Sequence, residues 1–470
     1  MGASAGKSLL LIIIVIICAA GFLSTALPAG AVETGGSPGN GAAEYPGEEM
    51  ATDSLTLAEC VRIARENSPR IKYRKARLAE AGAERDRAAG QRWPEIRSSG
   101  SYSRYTETVR MAPPREPGYP LIFADEVLWW NIHASIPLFT AGRISNEVEA
   151  SGLIRDAARN DLEFARGSIE YGVTEFYYSI FKKRMAIRSL DFSRITLEEH
   201  LKKVNALIGA EKASRSDRLR VEVRLADLAQ RIEEKKASLA VDKGALLNLM
   251  GMEYGEVSIK LPGDLFTDYR VPVLEDALLS AHSRRADYLA AQNELEAQRN
   301  RVRAARGAYW PTISLFASYS GQKAVGSYIE LPGASELEDI GRVGCMLELP
   351  IFMGGRRGSE LEIQKSRLAA LENSLRELKL RIRLEVESSI LRLKSEEKRL
   401  AATEKAVAQA LESLRIEREK YELGKGSVTD VLDAESALQK IRAARYSALA
   451  DYQIHVARIR FKTGEYYDPD

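Results

Sequence analysis

From Leu361 to Tyr421 the apolar positions keep a regular beat. Leu361, Leu368, Leu375 and Ile382 recur every seven residues, the phase jumps by four, and Val386, Leu393, Leu400, Val407, Leu414 and Tyr421 resume the seven. A seven-residue repeat predicts a left-handed coiled-coil seam, and a four-residue insertion is a stutter that locally unwinds it. The seam lies in a predicted very long helix, Arg356 to Glu422, and a comparable one runs from Arg143 to Ile208. Each is on the order of 100 Å long at 1.5 Å per residue. A short glycine-containing turn follows each, Gly209 to Asp217 and Leu423 to Asp430, and leads into a further helix from Ser216 and from Thr429. Ser216 or Asp217, and Thr429 or Asp430, are the expected N-caps. Helical stretches of about 35 residues, Leu57 to Gln91 and Leu274 to Ala308, precede the long helices and end at Trp93-Pro94 and Trp310-Pro311, because proline disfavours helix in the residue before it. Such a stretch and the helix after the turn, stacked end to end, would match one long helix beside them.

Between the helices the period changes to two. Leu128, Trp130, Ile132, Ala134 and Ile136 alternate with Trp129, Asn131, His133 and Ser135; Ile313, Leu315, Ala317 and Tyr319 alternate with Ser314, Phe316, Ser318 and Ser320; Val343, Cys345, Leu347 and Leu349 alternate with Gly344, Met346 and Glu348. A first, more polar strand runs from Ile96 to about Val109 with Tyr102 and Tyr105. Ten-residue alternation with interfacial aromatics is what a transmembrane barrel strand needs, although a soluble two-layer sheet gives a similar pattern. Topology weighs further. Four strands are too few to close a barrel, and an open edge cannot sit in hydrocarbon, so membrane-spanning strands would require oligomerisation, eight strands in a dimer or twelve in a trimer.

These elements occur twice in the same order, at a spacing of roughly 215 residues. Arg92-Trp93-Pro94 recurs as Tyr309-Trp310-Pro311, Ile136-Pro137-Leu138-Phe139-Thr140-Ala141-Gly142-Arg143 as Leu349-Pro350-Ile351-Phe352-Met353-Gly354-Gly355-Arg356, Ser216-Asp217 as Thr429-Asp430, and Met250-Gly251 as Thr463-Gly464. The expected organisation is a first repeat over 54–251, a linker over 252–272, a second repeat over 273–464 and a short tail, 465–470. The fold class is mainly α with a small β part, built from a duplicated helix–strand–strand–helix unit.

The N-terminus reads as a targeting segment. Lys7 precedes the apolar run Leu9 to Ala20, and Ala29-Gly30-Ala31 fits a cleavage site, giving a signal peptide over 1–31 and a Gly/Pro/Glu-rich flexible leader over 32–53. Cys18 ends the run as a lipidated cysteine does, but Ile17 stands where that processing wants a small residue. Export leaves Cys60 and Cys345, which make no disulfide framework. Charged residues are 29% of the chain at a net charge of +2, a balance that argues against a nucleic-acid partner. His133, His200, His282 and His455 are dispersed, and neither a nucleophile elbow nor a P-loop stands out. The chain therefore reads as a non-enzyme without cofactor or metal.

The Trp-Pro breaks, the paired Pro-Leu-Phe-Thr-Ala-Gly-Arg and Pro-Ile-Phe-Met-Gly-Gly-Arg elements and the run Tyr421 to Ala434, in this order and duplicated, resemble the outer-membrane efflux proteins, or TolC-like export ducts, over Leu55 to Gly464. The resemblance implies a homotrimer in outer-membrane lipid with one twelve-stranded barrel, a helical tunnel (α-barrel) through the periplasm, and an equatorial region drawing on Met252 to Pro272 and the chain ends. It also implies an inner-membrane pump and a periplasmic adaptor as partners of an efflux or type I secretion system. In related ducts the helix–helix turns close the periplasmic end and meet the adaptor. Carried over, Leu423, Gly424, Ser427 and Asp430 are the expected contacts, with Gly209, Ser216 and Asp217 as first-copy partners. Some relatives carry an acidic ring at the position of Arg415. This chain has Arg415, Glu417, Arg418 and Glu419 there, so the expectation is a mixed-charge constriction knitted by intersubunit ion pairs. The competing reading is an exported coiled-coil scaffold whose strands form a soluble sheet.

Overall fold

The computed structural model describes residues 54–110, 123–211, 214–253, 258–260, 269–325 and 338–466. The expected signal peptide, the leader and Cys18 lie outside the described residues, as do most of the linker and the end of the tail. In chain order the elements are β1 (Ser54–Leu55), α1 (Leu57–Asn67), α2 (Pro69–Gly90), β2 (Glu95–Arg110), β3 (Phe123–Phe139), α3 (Arg143–Gly209), α4 (Arg215–Met250), β4 (Ser258–Ile259), α5 (Leu274–Arg284), α6 (Ala286–Gly307), β5 (Thr312–Ala324), β6 (Glu338–Glu348), α7 (Arg356–Glu422) and α8 (Val428–Thr463). The duplication extends to length. α3 and α7 have 67 residues each, α4 and α8 have 36, α2 and α6 have 22, and α1 and α5 have 11. Strands β2, β3, β5 and β6 form one compact unit and the helices, with the two-residue parallel bridge of β1 and β4, form the other.

The leading helical stretches differ from expectation, because each is two helices. In the first copy Pro69 forces Ser68 out of the helical region, to φ −54° and ψ 123°. The second copy has no proline there. Arg285 takes φ −65° and ψ 116°, and its side chain, 3% exposed, donates to Asp287 at 2.9 and 2.8 Å and to Glu385 at 2.7 Å. Both breaks receive the end of another helix. Gly251 after α4 and Gly464 after α8 have φ of 68° and 80°, and a Cβ there would lie 2.6 Å from the Asn67 carbonyl oxygen and 2.7 Å from the Arg284 carbonyl carbon. Only glycine meets both demands. Thus α4 abuts the start of α2, and α8 the start of α6. The end-to-end stack exists, but in each copy an 11-residue helix is set to its side.

The long helices are sorted by what flanks them. α3 packs against α4 on one side and against α6 and α8 on the other, whereas α7 packs against α6 and α8. The seam of α7 is buried at Ile382, Val386, Leu393, Leu400 and Leu414. Leu380, Leu384 and Leu391, off the seam, stay exposed. Matching cores form in the two copies. One centres on Cys60, Ile71, Val173, Ile180, Leu246 and Met250, and the other on Ala281, Tyr288, Ile382, Leu393, Tyr452 and Ile459.

Candidate functional site

The sheet is antiparallel in the order β2-β3-β5-β6, so among the described residues β2 and β6 are edges with one side unpaired. Its register merges the four alternating patterns. Ile96, Ala134, Ala317 and Val343 are mutual partners in one row, and Ile136, Leu315 and Cys345 in the next. Ile132 stands opposite Tyr319, and Trp130 packs edge-on to Tyr319 with centroids 5.3 Å apart. One face is therefore mainly apolar, interrupted by Ser98 opposite Ile132 and by Asp339 in the Trp130 row. Toward the ends of β2 and β3 it meets Arg104 and Glu126, an ion pair at 3.5 Å, and Lys323 opposite Leu128. At the other end Trp93, Phe139 and Trp310 are exposed. The second face carries Ser99, Asn131, Ser318 and Ser320, with Trp129 and a stacked His133–Phe316 pair. An apolar band with aromatic and charged limits, backed by a polar face, is the division a barrel wall requires.

The hairpin turns are built by paired caps. Beyond α7, Gly424 N–H donates to the Tyr421 carbonyl at 3.0 Å and Lys425 N–H to the Lys420 carbonyl at 2.8 Å, with Gly424 at φ 71°. This is a Schellman turn, which glycine permits without strain. Ser427 then caps α8. Its N–H donates to Asp430 Oδ2 at 3.0 Å, and its Oγ accepts from Asp430 N–H at 3.3 Å. In the first copy the cap is Ser214, bonded to Asp217 in the same reciprocal way. The expected caps Ser216 and Thr429 therefore lie inside their helices, and Asp217 and Asp430 are the third helical residues that complete each capping box. Gly209 is the last residue of α3, and the left-handed position belongs to Glu211, at φ 63°. Ser214 was legible from its spacing of three to Asp217. Glu211 carries no such signal.

Several contacts tie the two hairpins together near the turns. Lys203 Nζ pairs with Glu422 at 2.9 Å, Arg220 donates to Thr429 Oγ1 at 3.0 Å, and Ser193 Oγ donates to Glu435 at 3.1 Å. Leu190, Leu197 and Val204 share one core with Val221, Leu228, Val428 and Leu432. A cavity of about 730 Å³ opens here, walled by His200, Lys203, Arg418, Tyr421, Leu423 and Glu435 among others. Burial, then the Arg418 and Lys203 charges, lower the pKa of His200, whose ring lies 5.3 Å from Tyr421. Glu435, 4% exposed and bound by Arg418 at 3.1 Å, was not foreseen, since a buried carboxylate inside a solvated-looking charge pattern leaves no mark.

The four constriction residues do not converge. Arg415 is forked between Glu412 at 2.6 Å and Glu419 at 2.5 Å on its own helix, Glu417 pairs with Lys420 at 2.7 Å, and Arg418 turns to Glu435. Within the chain these pairs are local, at three- and four-residue spacing, or join α7 to α8. Among the described residues no group of three His, Cys, Asp or Glu side chains could hold a metal ion, and no helix is long and apolar enough to cross a membrane.

These features define a class: a duplicated coiled-coil hairpin protein with an open, two-faced four-stranded sheet. Residues 277–465 match the family described as Outer membrane efflux protein. Outer membrane protein TolC of Escherichia coli (strain K12) is 26% identical over 237 residues, 48% of this chain and 47% of that protein, so the chain aligns with about half of that relative's length. Outer membrane efflux protein BepC of Brucella suis is 20% identical over 67% of each. Among solved structures, CusC has a TM-score of 0.74 at 19% identity, covering 89% of this chain and 95% of its own. VceC of Vibrio cholerae has a TM-score of 0.73 at 18% identity, covering 87% and 96%. The second repeat of the chain thus matches the outer membrane efflux protein model, and the fold is that of the solved channel structures.

Proposed function

We propose that the chain is one third of a passive outer-membrane duct, a homotrimer that gives an inner-membrane pump its exit through a periplasmic adaptor, in an efflux or type I secretion system. The observation that carries this reading is the sheet. It has one apolar face, one polar face and two unpaired edges, and hydrocarbon tolerates such a sheet only when its edges are closed by other strands. Three copies supply twelve strands. The exposed Leu380, Leu384 and Leu391 of α7 and Leu219 and Val223 of α4 fit lateral packing of helical hairpins in the same assembly. Energy comes from the pump, and the duct supplies a path.

The turns are where the adaptor docks in this reading. Leu423, 70% exposed, and Gly424 present the second turn, with Ser427 and Asp430 fixing its shape, and Gly209, Ser216 and Asp217 flank the first. Detergent-purified protein should run as a heat-sensitive trimer and form channels in planar bilayers. A monomer extracted without detergent would instead support the scaffold reading. Replacing Leu423 with Asp should abolish export while trimer yield and conductance persist. Loss of all three together would mean that the turn serves folding alone.

A further inference from the structure

One register row on the polar face of the sheet is unlike its neighbours. Arg97 of β2 stands opposite His133 of β3, His133 opposite Ser318 of β5, and Ser318 opposite Arg342 of β6. The row crosses all four strands, and each member can donate hydrogen bonds. The next polar-face row toward one end, Ser99, Asn131, Ser320 and Ile340, is uncharged. The row toward the other end holds Ser135, Phe316 and Gly344, with Glu95 at its edge. Glu95 accepts from Arg97 Nε at 2.6 Å, so that guanidinium is matched. Arg342 is exposed, and none of its interactions among the described residues is with a carboxylate. Between His133 and Arg342 sits Ser318, 5% exposed, whose Oγ has no hydrogen-bond partner among the described residues. A buried hydroxyl left unsatisfied between a cation and an imidazole marks a place where an acceptor atom is missing.

We propose that this row is an anion-recognising band on the inner wall of the duct, and that the cargo it favours carries carboxylate, phosphate or sulfonate groups. The inference rests on the pore reading above, in which the polar face lines the lumen. There the row recurs three times at one level, and basic rings inside a low-dielectric wall select anions by focusing their field on the passing ion. Arg342 supplies a charge that meets no carboxylate among the described residues, Ser318 and His133 supply donors beside it, and Glu95 holds Arg97 partly in reserve.

The test is the reversal potential of the full-length protein in planar bilayers under a potassium chloride gradient. The wild type should prefer chloride. Arg342→Glu should lower the chloride-to-potassium permeability ratio by about threefold or more, as a reversed charge in a narrow wall does. Arg342→Lys should leave it near the wild-type value, and Glu95→Gln, which releases Arg97, should raise it. A cation-preferring wild type, or a reversal potential unmoved by both Arg342→Glu and Glu95→Gln, overturns the band while the pore stands. Absence of any conductance overturns the pore reading and the band with it.

Discussion

Glu211 and Gly424 hold matching left-handed places in the two turns, at φ 63° and 71°. A side chain in that region costs roughly 1–2 kcal/mol, which glycine avoids. Glu211→Gly is therefore expected to raise stability by about 1 kcal/mol and Gly424→Ala to lower it by a similar amount. Thermal unfolding followed by circular dichroism reads both, and a destabilised Glu211→Gly would refute the strain. A Cβ on helical Gly209 meets nothing within 4 Å, so Gly209→Ala should be neutral or stabilising. Residue type pointed to Gly209 because glycine usually marks a turn. The conformation fell to Glu211 because the caps on either side fix the backbone there, whatever residue it carries. A second residue-scale expectation concerns acid. Burial first, then Arg458, pushes His455 down to about 4, with Arg392 and Arg399 adding to the effect and Asp451 opposing it. The unfolded chain takes up this proton from about pH 6.5 downward while the native imidazole stays neutral to about pH 4. The contribution is complete above pH 6.5 and is lost as pH falls through that window. His455→Gln should flatten the decline in melting temperature between pH 6.5 and 4.

The helices show what periodicity can and cannot convey. The heptad seam of α7 was legible because a repeated apolar spacing has one physical use, lateral packing; Ile382, Val386, Leu393, Leu400 and Leu414 of the seam are buried, while Leu378, Ile390 and Ala410 are buried off it. The long-helix bounds were equally readable, since Gly142 and Gly355 mark their starts. The breaks inside the leading stretches were not. Pro69 gives the first a local cause, but the second depends on Glu385, a hundred positions away from Arg285, and no local pattern encodes that partner. Arg285→Ala should therefore cost about 3 kcal/mol, toward the low end for breaking a buried pair, because Lys462 still pairs with Glu385 at 3.0 Å. Heat denaturation of the detergent-solubilised protein measures it, and a loss within the error of a surface substitution would show that the break holds itself. The analogous contact in the first copy joins Arg65 to Glu170 at 2.6 Å, so the copies conserve the need for a buried ion pair near the break but meet it with different residues.

For the molecule as a whole, the two-faced sheet makes a prediction that uses a native side chain. Cys345 is exposed and ends the Ile136–Leu315 row of the apolar face, whereas Ser320 is on the polar face. In native membranes a charged maleimide should modify Ser320→Cys and leave Cys345 untouched until detergent is added. Equal labelling of the two would contradict a lipid-facing apolar side. The need for several copies could be argued from strand count alone, but the interleaving of the repeats could not, because α3 of the first copy packs on α6 and α8 of the second. That interleaving gives the matched lengths of 67 and 36 residues a further meaning. The paired helices act as a caliper. Removing one residue from α3 would draw its end back by about 1.5 Å and turn every later side chain by about 100°, spoiling the contacts with α4 and α8 at once. Insertions and deletions in this architecture must then arrive in matched sets, in both copies and in whole heptads. The length of the helical hairpins is a quantity that the chain can change only in steps.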